Sequence, residues 1–299
     1  MNRTLSMLTK HVLYILGCML FVCSCQIMSF EEEDSTPDSS RGEKLMHFKV
    51  TGFNLDSFEE LDTRATEKSG TDNLLLGIYD LNGNLLDSIE YQDKDDYSFG
   101  KFSRTLKYGK YTILALGWDG SQQCHVASSD SIYFSEGWVP NTLLCRQNIV
   151  VSESYSDTRT LSLKRCTARF AVYLKDEHIP SNLSKFVISS SDAGNVLNSE
   201  TKHCANIKDF SRTIDVNIEL SKIKYVSSYF FLPEDSANIN ISVAALDVNG
   251  EELGKQNFIN VPMKINYATN YSGKFFPYAS ESGEIVFELD YDGEYNHEF

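Results

Sequence analysis

Cys23-Ser24-Cys25 closes an apolar run of 12 residues, Val12 to Cys23. Arg3 and Lys10 precede the run, and Glu31-Glu32-Glu33-Asp34 follow it. The run is too short to span about 30 Å of hydrocarbon, which needs roughly 20 helical residues. It has the length of a leader core with a positive head. A cut beside the small Ser24 would leave Cys25 at the start of the mature chain. Only a nucleophilic sulfur can then form a thioether to a lipid. Acyl chains stabilise membrane attachment by about 0.8 kcal/mol per buried CH₂, so two or three hold a protein durably.

Val22-Cys23-Ser24-Cys25 resembles a bacterial lipobox, with Cys23 a mild departure from its pattern. The resemblance implies a signal peptide over 1–24, cleavage between Ser24 and Cys25, and lipid on Cys25. An ordinary secretory cut near Ser24 is the alternative. Residues 25–44 read as an acidic, solvated tether, because their composition cannot bury enough apolar area to order itself. Acids placed just after such a cysteine resemble the surface-export signal of Bacteroidetes lipoproteins; a plain acidic linker reads equally well.

Other candidate chemistry is sparse. The sequence has no GxSxG, HExxH, P-loop or CxxC. Cys124-His125 and His203-Cys204 suggest zinc, but zinc ligands come in short paired loops and these lie far apart. We therefore expect no metal, no cofactor and no enzyme. Cys124, Cys145, Cys166 and Cys204 remain after the leader. Proximity within each expected domain favours Cys124–Cys145 and Cys166–Cys204 pairs in an oxidising compartment, or else four free thiols. Asp93-Lys94-Asp95-Asp96 reads as a solvated turn. Trp118 and Trp138 could stack on sugars or pack in a core. A net charge of −15 argues against nucleic acid.

Such residues need elements to carry them, and those elements read as strands. Turn signals recur about every ten residues, which predicts all-β sandwiches. Leu45 to Thr51 alternates, with Met46, Phe48 and Val50 on one face. Leu74 to Tyr79 is a buried-type strand, followed by Asp80-Leu81-Asn82-Gly83 and a return over Leu85 to Tyr91. Phe102 to Lys107, a tight turn at Tyr108-Gly109-Lys110, and Tyr111 to Leu116 read as a hairpin. The first domain spans 45–160 and the second 161–276. Asp247-Val248-Asn249-Gly250 repeats the Asp-x-Asn-Gly device, so one supersecondary unit is used twice. Ser221 to Ser228 could form a short helix.

The tail, 277–299, holds Ile285, Phe287, Leu289 and Tyr291 on one face of an extended segment. It is either the last strand of its own sandwich or a donor strand for a neighbour's sheet.

Phe48-Lys49-Val50-Thr51-Gly52-Phe53, Thr63-Arg64-Ala65-Thr66, Leu106 to Leu116, Arg165-Cys166-Thr167-Ala168-Arg169-Phe170, Asn260 to Thr269 and Tyr271 to Phe276 together resemble the Bacteroidetes fimbrial subunits that include fimbrillin-A-associated anchor proteins. The resemblance implies two tandem transthyretin-like, Greek-key β-sandwiches and a lipoprotein of the outer membrane, exposed on the cell surface. It implies other fimbrial subunits and membrane lipid, through Cys25, as partners. It also implies a protease site at Arg64–Ala65 in members that shed the first strand; anchor members keep it. The expected function is a fimbrial anchor or minor subunit. The alternative is a surface glycan-binding lipoprotein, and an envelope hydrolase lacks its acid/base pair.

Overall fold

A computed structural model describes residues 42–52, 71–216, 223–276 and 288–290. In chain order the strands are β1 (Glu43–Thr51), β2 (Asn73–Tyr79), β3 (Glu90–Asp93), β4 (Lys101–Lys107), β5 (Gly109–Trp118), β6 (Cys124–Ser128), β7 (Ser131–Phe134), β8 (Thr142–Val151), β9 (Thr158–Ser162) and β10 (Lys164–Arg165). The second half adds β11 (Ala168–Leu174), β12 (Leu183–Ser190), β13 (Val196–Asn198), β14 (Phe210–Asp215), β15 (Tyr225–Phe230), β16 (Ser236–Asp247), β17 (Glu252–Lys264), β18 (Ala268–Gly273) and β19 (Glu288–Asp290). The described residues contain no helix, and Tyr225 to Ser228 is strand where a short helix was expected.

In the first half, sheet β4-β1-β9 faces sheet β10-β8-β5-β2-β3. Met46, Phe48, Val50, Phe102, Leu106 and Leu161 meet Leu74, Leu76, Ile78, Ile113 and Leu143 in the core between them. Alternation puts one face of β1 and β4 inward and leaves the other in water. β2 and β5 are apolar on both faces because both are covered. Their second faces, Leu75, Leu114 and Leu116, join a core shared with the small sheet β13-β7-β6 and with the second half.

The expected hairpin of β4 and β5 does not form. β4 pairs with β1, whereas β5 pairs with β2 and β8. Tyr108 is therefore a corner at which the chain changes layer. The return from β2 is also shorter than expected. Only Glu90 to Asp93 is strand, and Leu85 touches β2 at a single bridge to Tyr79.

The second half stacks sheet β15-β11-β18-β19 over sheet β14-β12-β16-β17. Phe170, Val172, Phe230, Phe186, Ile188, Val243 and Phe275 fill the space between. The chain passes from the first sheets to the second between Arg165, paired to Leu143, and Ala168, paired to Phe230.

The two Asp-x-Asn-Gly turns share one hydrogen-bond pattern. Asp80 Oδ1 accepts from the amides of Asn82 (2.8 Å) and Asn84 (2.9 Å), and Asp247 Oδ1 accepts from those of Asn249 and Glu251 (both 2.8 Å). The amides of Gly83 and Gly250 each close the turn onto the aspartate carbonyl at 3.1 Å. Both glycines have positive φ, 78° and 85°, where a Cβ would be strained. These bonds favour the charged carboxylate, and both aspartates sit below the usual range, Asp80 chiefly through Asn84 and Asp247 chiefly through the Glu251 amide. A carboxylate that accepts two backbone amides makes a tight turn, which accounts for the shared Asp, Asn and Gly at equivalent corners.

Candidate functional site

β1 is the middle strand of its sheet. It pairs antiparallel with β4, Glu43↔Lys107 to Lys49↔Lys101, and parallel with β9, His47↔Thr158 to Thr51↔Ser162. β4 and β9 meet only through it. Met46, Phe48 and Val50 are buried, Phe48 to 1% exposure. Each fills a pocket worth roughly 1.5–3 kcal/mol, an upper bound, whereas a ladder hydrogen bond nets about 0.5–1.5 kcal/mol. Side chains therefore decide what this slot prefers.

The strand has defined ends. Gly42 passes Tyr108 so closely that a Cβ there would clash with the ring. Gly52 sits at φ +80°, where a Cβ would meet the Leu163 carbonyl at 2.6 Å. The Leu163 amide donates to the Thr51 carbonyl at 2.9 Å, tying the end of β1 to the junction of the two halves.

That junction holds a polar cluster the sequence did not flag. Arg165 Nε donates to Asn141 Oδ1 (2.8 Å) and its Nη1 to Asn266 Oδ1 (3.1 Å). Arg212 lies over the Trp138 ring, 4.1 Å from its centroid. Burial pushes the Asp119 carboxyl up to about 6, against the pull of its own and the Asn141 backbone hydrogen bonds and of Arg165, with Asp72 adding to the rise. The side-chain N and O of Gln122, buried beside this region, have no hydrogen-bond partner. The only sequence signal was a crowding of Arg and Asn around 141–169.

The four cysteines among the described residues are free thiols: Cys124 and Cys166 buried, Cys145 and Cys204 half-buried. The favoured pairings do not occur: Cys124 and Cys145 pack in different cores, whereas Cys166 and Cys204 adjoin one core without a bond between them. Cys145 lies against the core between the first two sheets, whereas Cys124 and Cys166 join the shared core. Burial raises all four thiols, Cys166 to about 12, so they are poor nucleophiles. His125 stacks on Tyr133, centroids 5.1 Å apart, and His203 Nε2 lies 3.0 Å from Asp235. Among the described residues no group of His, Cys, Asp and Glu could hold a metal ion. Trp118 is buried, donating to the Gln122 carbonyl, and Trp138 donates to Glu136, so both indoles are engaged by the protein.

A groove of about 580 Å³ crosses the outer face of sheet β14-β12-β16-β17. Its floor is a row in register: Ser211 opposite Ser189, Ser189 opposite Ser242, Ser242 opposite Asn257. Asp209, Asn240 and Ile259 flank it. No alternation pattern in the sequence could reveal that row, because it depends on the register of four separate strands.

Ser24, Cys25, Arg64, Ala65, Ile285, Phe287 and Tyr291 lie outside the described residues. Leu289 falls in β19, opposite Tyr271 of β18.

The layered sheets define an all-β sandwich protein. A candidate adhesin from Bacteroides ovatus has a similar fold, with a TM-score of 0.50, 11% identity, and 86% of this chain and 100% of that one covered. The fimbrial anchor protein Mfa2 from Porphyromonas gingivalis aligns at 14% identity and a TM-score of 0.42, over 78% of this chain and 91% of that chain. A fimbrial assembly protein from Parabacteroides distasonis aligns at 13% and 0.41, over 83% and 99%. No curated protein matches. The sequence pattern of the fimbrillin-A associated anchor proteins Mfa1 and Mfa2 matches residues 57–214, and that of a family of unknown function (DUF6562) matches residues 142–298. The chain belongs to the fimbrillin-A associated anchor family.

Proposed function

We propose that the protein is a lipidated outer-membrane subunit of a fimbria, an anchor or minor component, held by Cys25 and joined to other subunits by β-strand complementation. The observation that carries this reading is β1: a strand wedged between two strands that meet only through it, with three side chains in pockets. A lipid on Cys25 reaches the fold only through β1 and the chain after it. A cut between Arg64 and Ala65 would leave the lipid attached to β1 alone. An anchor therefore keeps that bond whole, and a subunit cut there would offer an open slot between β4 and β9.

The tail supplies the complementary half of the reading. β19 is an edge strand, paired to β18 over three residues, Asn270↔Asp290 to Ser272↔Glu288. So short an edge is easily released. Ile285, Phe287, Leu289 and Tyr291 entering a neighbour's pockets would supply about 6–12 kcal/mol before ordering costs. Truncation after Gly283 should leave a folded monomer, because β18 still pairs with β11, and should abolish assembly on size-exclusion chromatography. If the truncated chain unfolds, the tail is core and the donor role is wrong. Mass spectrometry of the native protein tests the anchor itself: lipid on an intact chain beginning at Cys25 supports it, and a chain beginning at Ala65 overturns it.

A second reading has one observation in its favour. The side chains of Ser189, Ser211, Ser242 and Asn257 face one groove and offer hydroxyls and an amide to a glycan, with Ile259 as an apolar edge. On a glycan array, Asn257→Ala with Ser242→Ala should lose at least tenfold in binding. Unchanged binding, or no glycan bound by the native protein, removes this reading.

A further inference from the structure

We propose that the pole of the first half at which the chain enters the fold is itself a lipid-docking surface, fitted to a membrane bilayer that it enters with apolar side chains and not by charge. The inference rests on the anchor reading above and adds to it a contact made by the folded protein.

Strand directions define the pole. β1 starts at Glu43 and runs parallel to β9, which leads through β10 to the second half. Thr51 is therefore at the junction and Glu43 at the opposite end. β2 pairs Asn73 with Trp118 near the junction and Tyr79 with Thr112 away from it. Three connections share this far end: the turn after β2, the Tyr108 corner, and the loop between β8 and β9.

Exposed apolar side chains gather there. Leu81 at 65% exposure, Leu85, Leu86, Val150 and Tyr155 all stand out at this end, while the other large exposed apolar side chains among the described residues are scattered. The equivalent turn of the second half carries Val248 at the end remote from the junction. Lone exposed apolar residues are ordinary, but several at one end of a molecule mark an interaction surface.

Two features select a lipid surface as the occupant. The first is where the chain outside the structure ends. Residues 25–41 are 17 residues, and even fully extended they reach no more than roughly 60 Å. A lipid on Cys25 makes this pole the end of the fold nearest the attachment point, at an effective concentration on the order of millimolar. A contact too weak to recruit a free protein is then mostly formed. The second is charge. Lys44 is engaged by the carbonyls of Glu153 and Tyr155. Lys107 lies opposite Glu43, and Lys107 and Lys110 share this end with the exposed Asp87, Glu153 and Asp157, on a chain of net charge −15. Acids offset the lysines and Arg159, whose guanidinium lies over the Tyr155 ring, 4.0 Å from its centroid, so attachment comes from the leucines and valine sinking to the level of the acyl carbons. It should therefore resist salt.

The test uses the lipidated chain in phosphatidylethanolamine–phosphatidylcholine vesicles whose acyl chains are brominated near the headgroup. Leu81→Trp, and separately Val150→Trp, should lose half or more of the added tryptophan emission relative to unbrominated vesicles, unchanged in 1 M salt. Val248→Trp should lose none. Trp118 and Trp138 are packed within the protein and give a constant background. All three substituted sites are exposed, so folding is not at stake. Vesicles that carry the protein without quenching at Leu81→Trp and Val150→Trp overturn this inference and leave the anchor reading standing. Equal quenching at Val248→Trp overturns the choice of pole, and loss of quenching in salt overturns its apolar basis. A chain that does not float with vesicles at all overturns the anchor reading and this one with it.

Discussion

Replacing Phe48 with alanine is expected to lower the unfolding free energy by about 3–5 kcal/mol, read from the urea midpoint at unchanged slope. Phe48 lies opposite Phe102 on β4 and Arg159 on β9, and is 1% exposed. Its removal leaves a void that two sheets cannot close, because Met46 and Val50 hold β1 in register on either side. Such a loss is a large part of the 5–15 kcal/mol that stabilises a typical domain. The same substitution separates structure from assembly. A weakened β1 should admit a synthetic strand spanning 285–291 into the slot between β4 and β9, seen as a slower-migrating complex that the native chain does not form. A loss under about 1 kcal/mol would show that β1 is an accessory strand, and the slot would then have no energetic basis.

Much of this slot could be read from residue order alone. The alternation in Leu45 to Thr51 names the three buried side chains of β1, because a strand with one wet face must alternate. The Asp-x-Asn-Gly turns were legible for a similar reason, their bonds being local to five residues. The corner at Tyr108 was misread because a tight turn does not say which sheet the next strand joins. The signal was nonetheless present. Lys101 to Lys107 is apolar at every second or fourth residue, whereas Tyr111 to Leu116 is apolar almost throughout. A strand with one buried face and a strand with two belong in different layers.

What stayed hidden is what distant segments decide together. β13 pairs with β7 across more than 60 residues of sequence, Leu197 opposite Ile132, and no local pattern announces it. Cys124 and Cys166 were each paired with a thiol of their own expected domain, yet both lie in the shared core. The polar groove rests on four strands falling into register. The pole described above needed strand directions, although Leu81, Leu85 and Leu86 were in plain view as apolar residues around a turn.

Asp119 should make the protein less stable as pH rises from about 4 to about 6. Its carboxyl titrates near 6 in the fold, against an ordinary value of 3.8. Below pH 4 it is protonated in both states, and its full contribution to stability is present. Between the two values the unfolded chain ionises first, which pulls the equilibrium towards unfolding. Above 6 both states are ionised, and the loss, two pH units at 1.36 kcal/mol each, amounts to roughly 3 kcal/mol. The charges that face it are Arg165, Arg212, Asp72 and the Tyr229 phenol, and the guanidiniums do not offset the burial. Asp72, Asp80 and Asp247 are shifted downwards, so their losses come as pH falls below 4 and do not overlap this window. Asp119→Asn keeps the shape and removes the charge. It should flatten the stability profile between pH 4 and 6 and make the protein more stable at pH 7 by up to about 3 kcal/mol. If the variant is less stable at pH 7, the ionised carboxylate is instead an organising partner for Arg165 and Arg212, and the junction is held by charge pairing where burial is now taken to dominate.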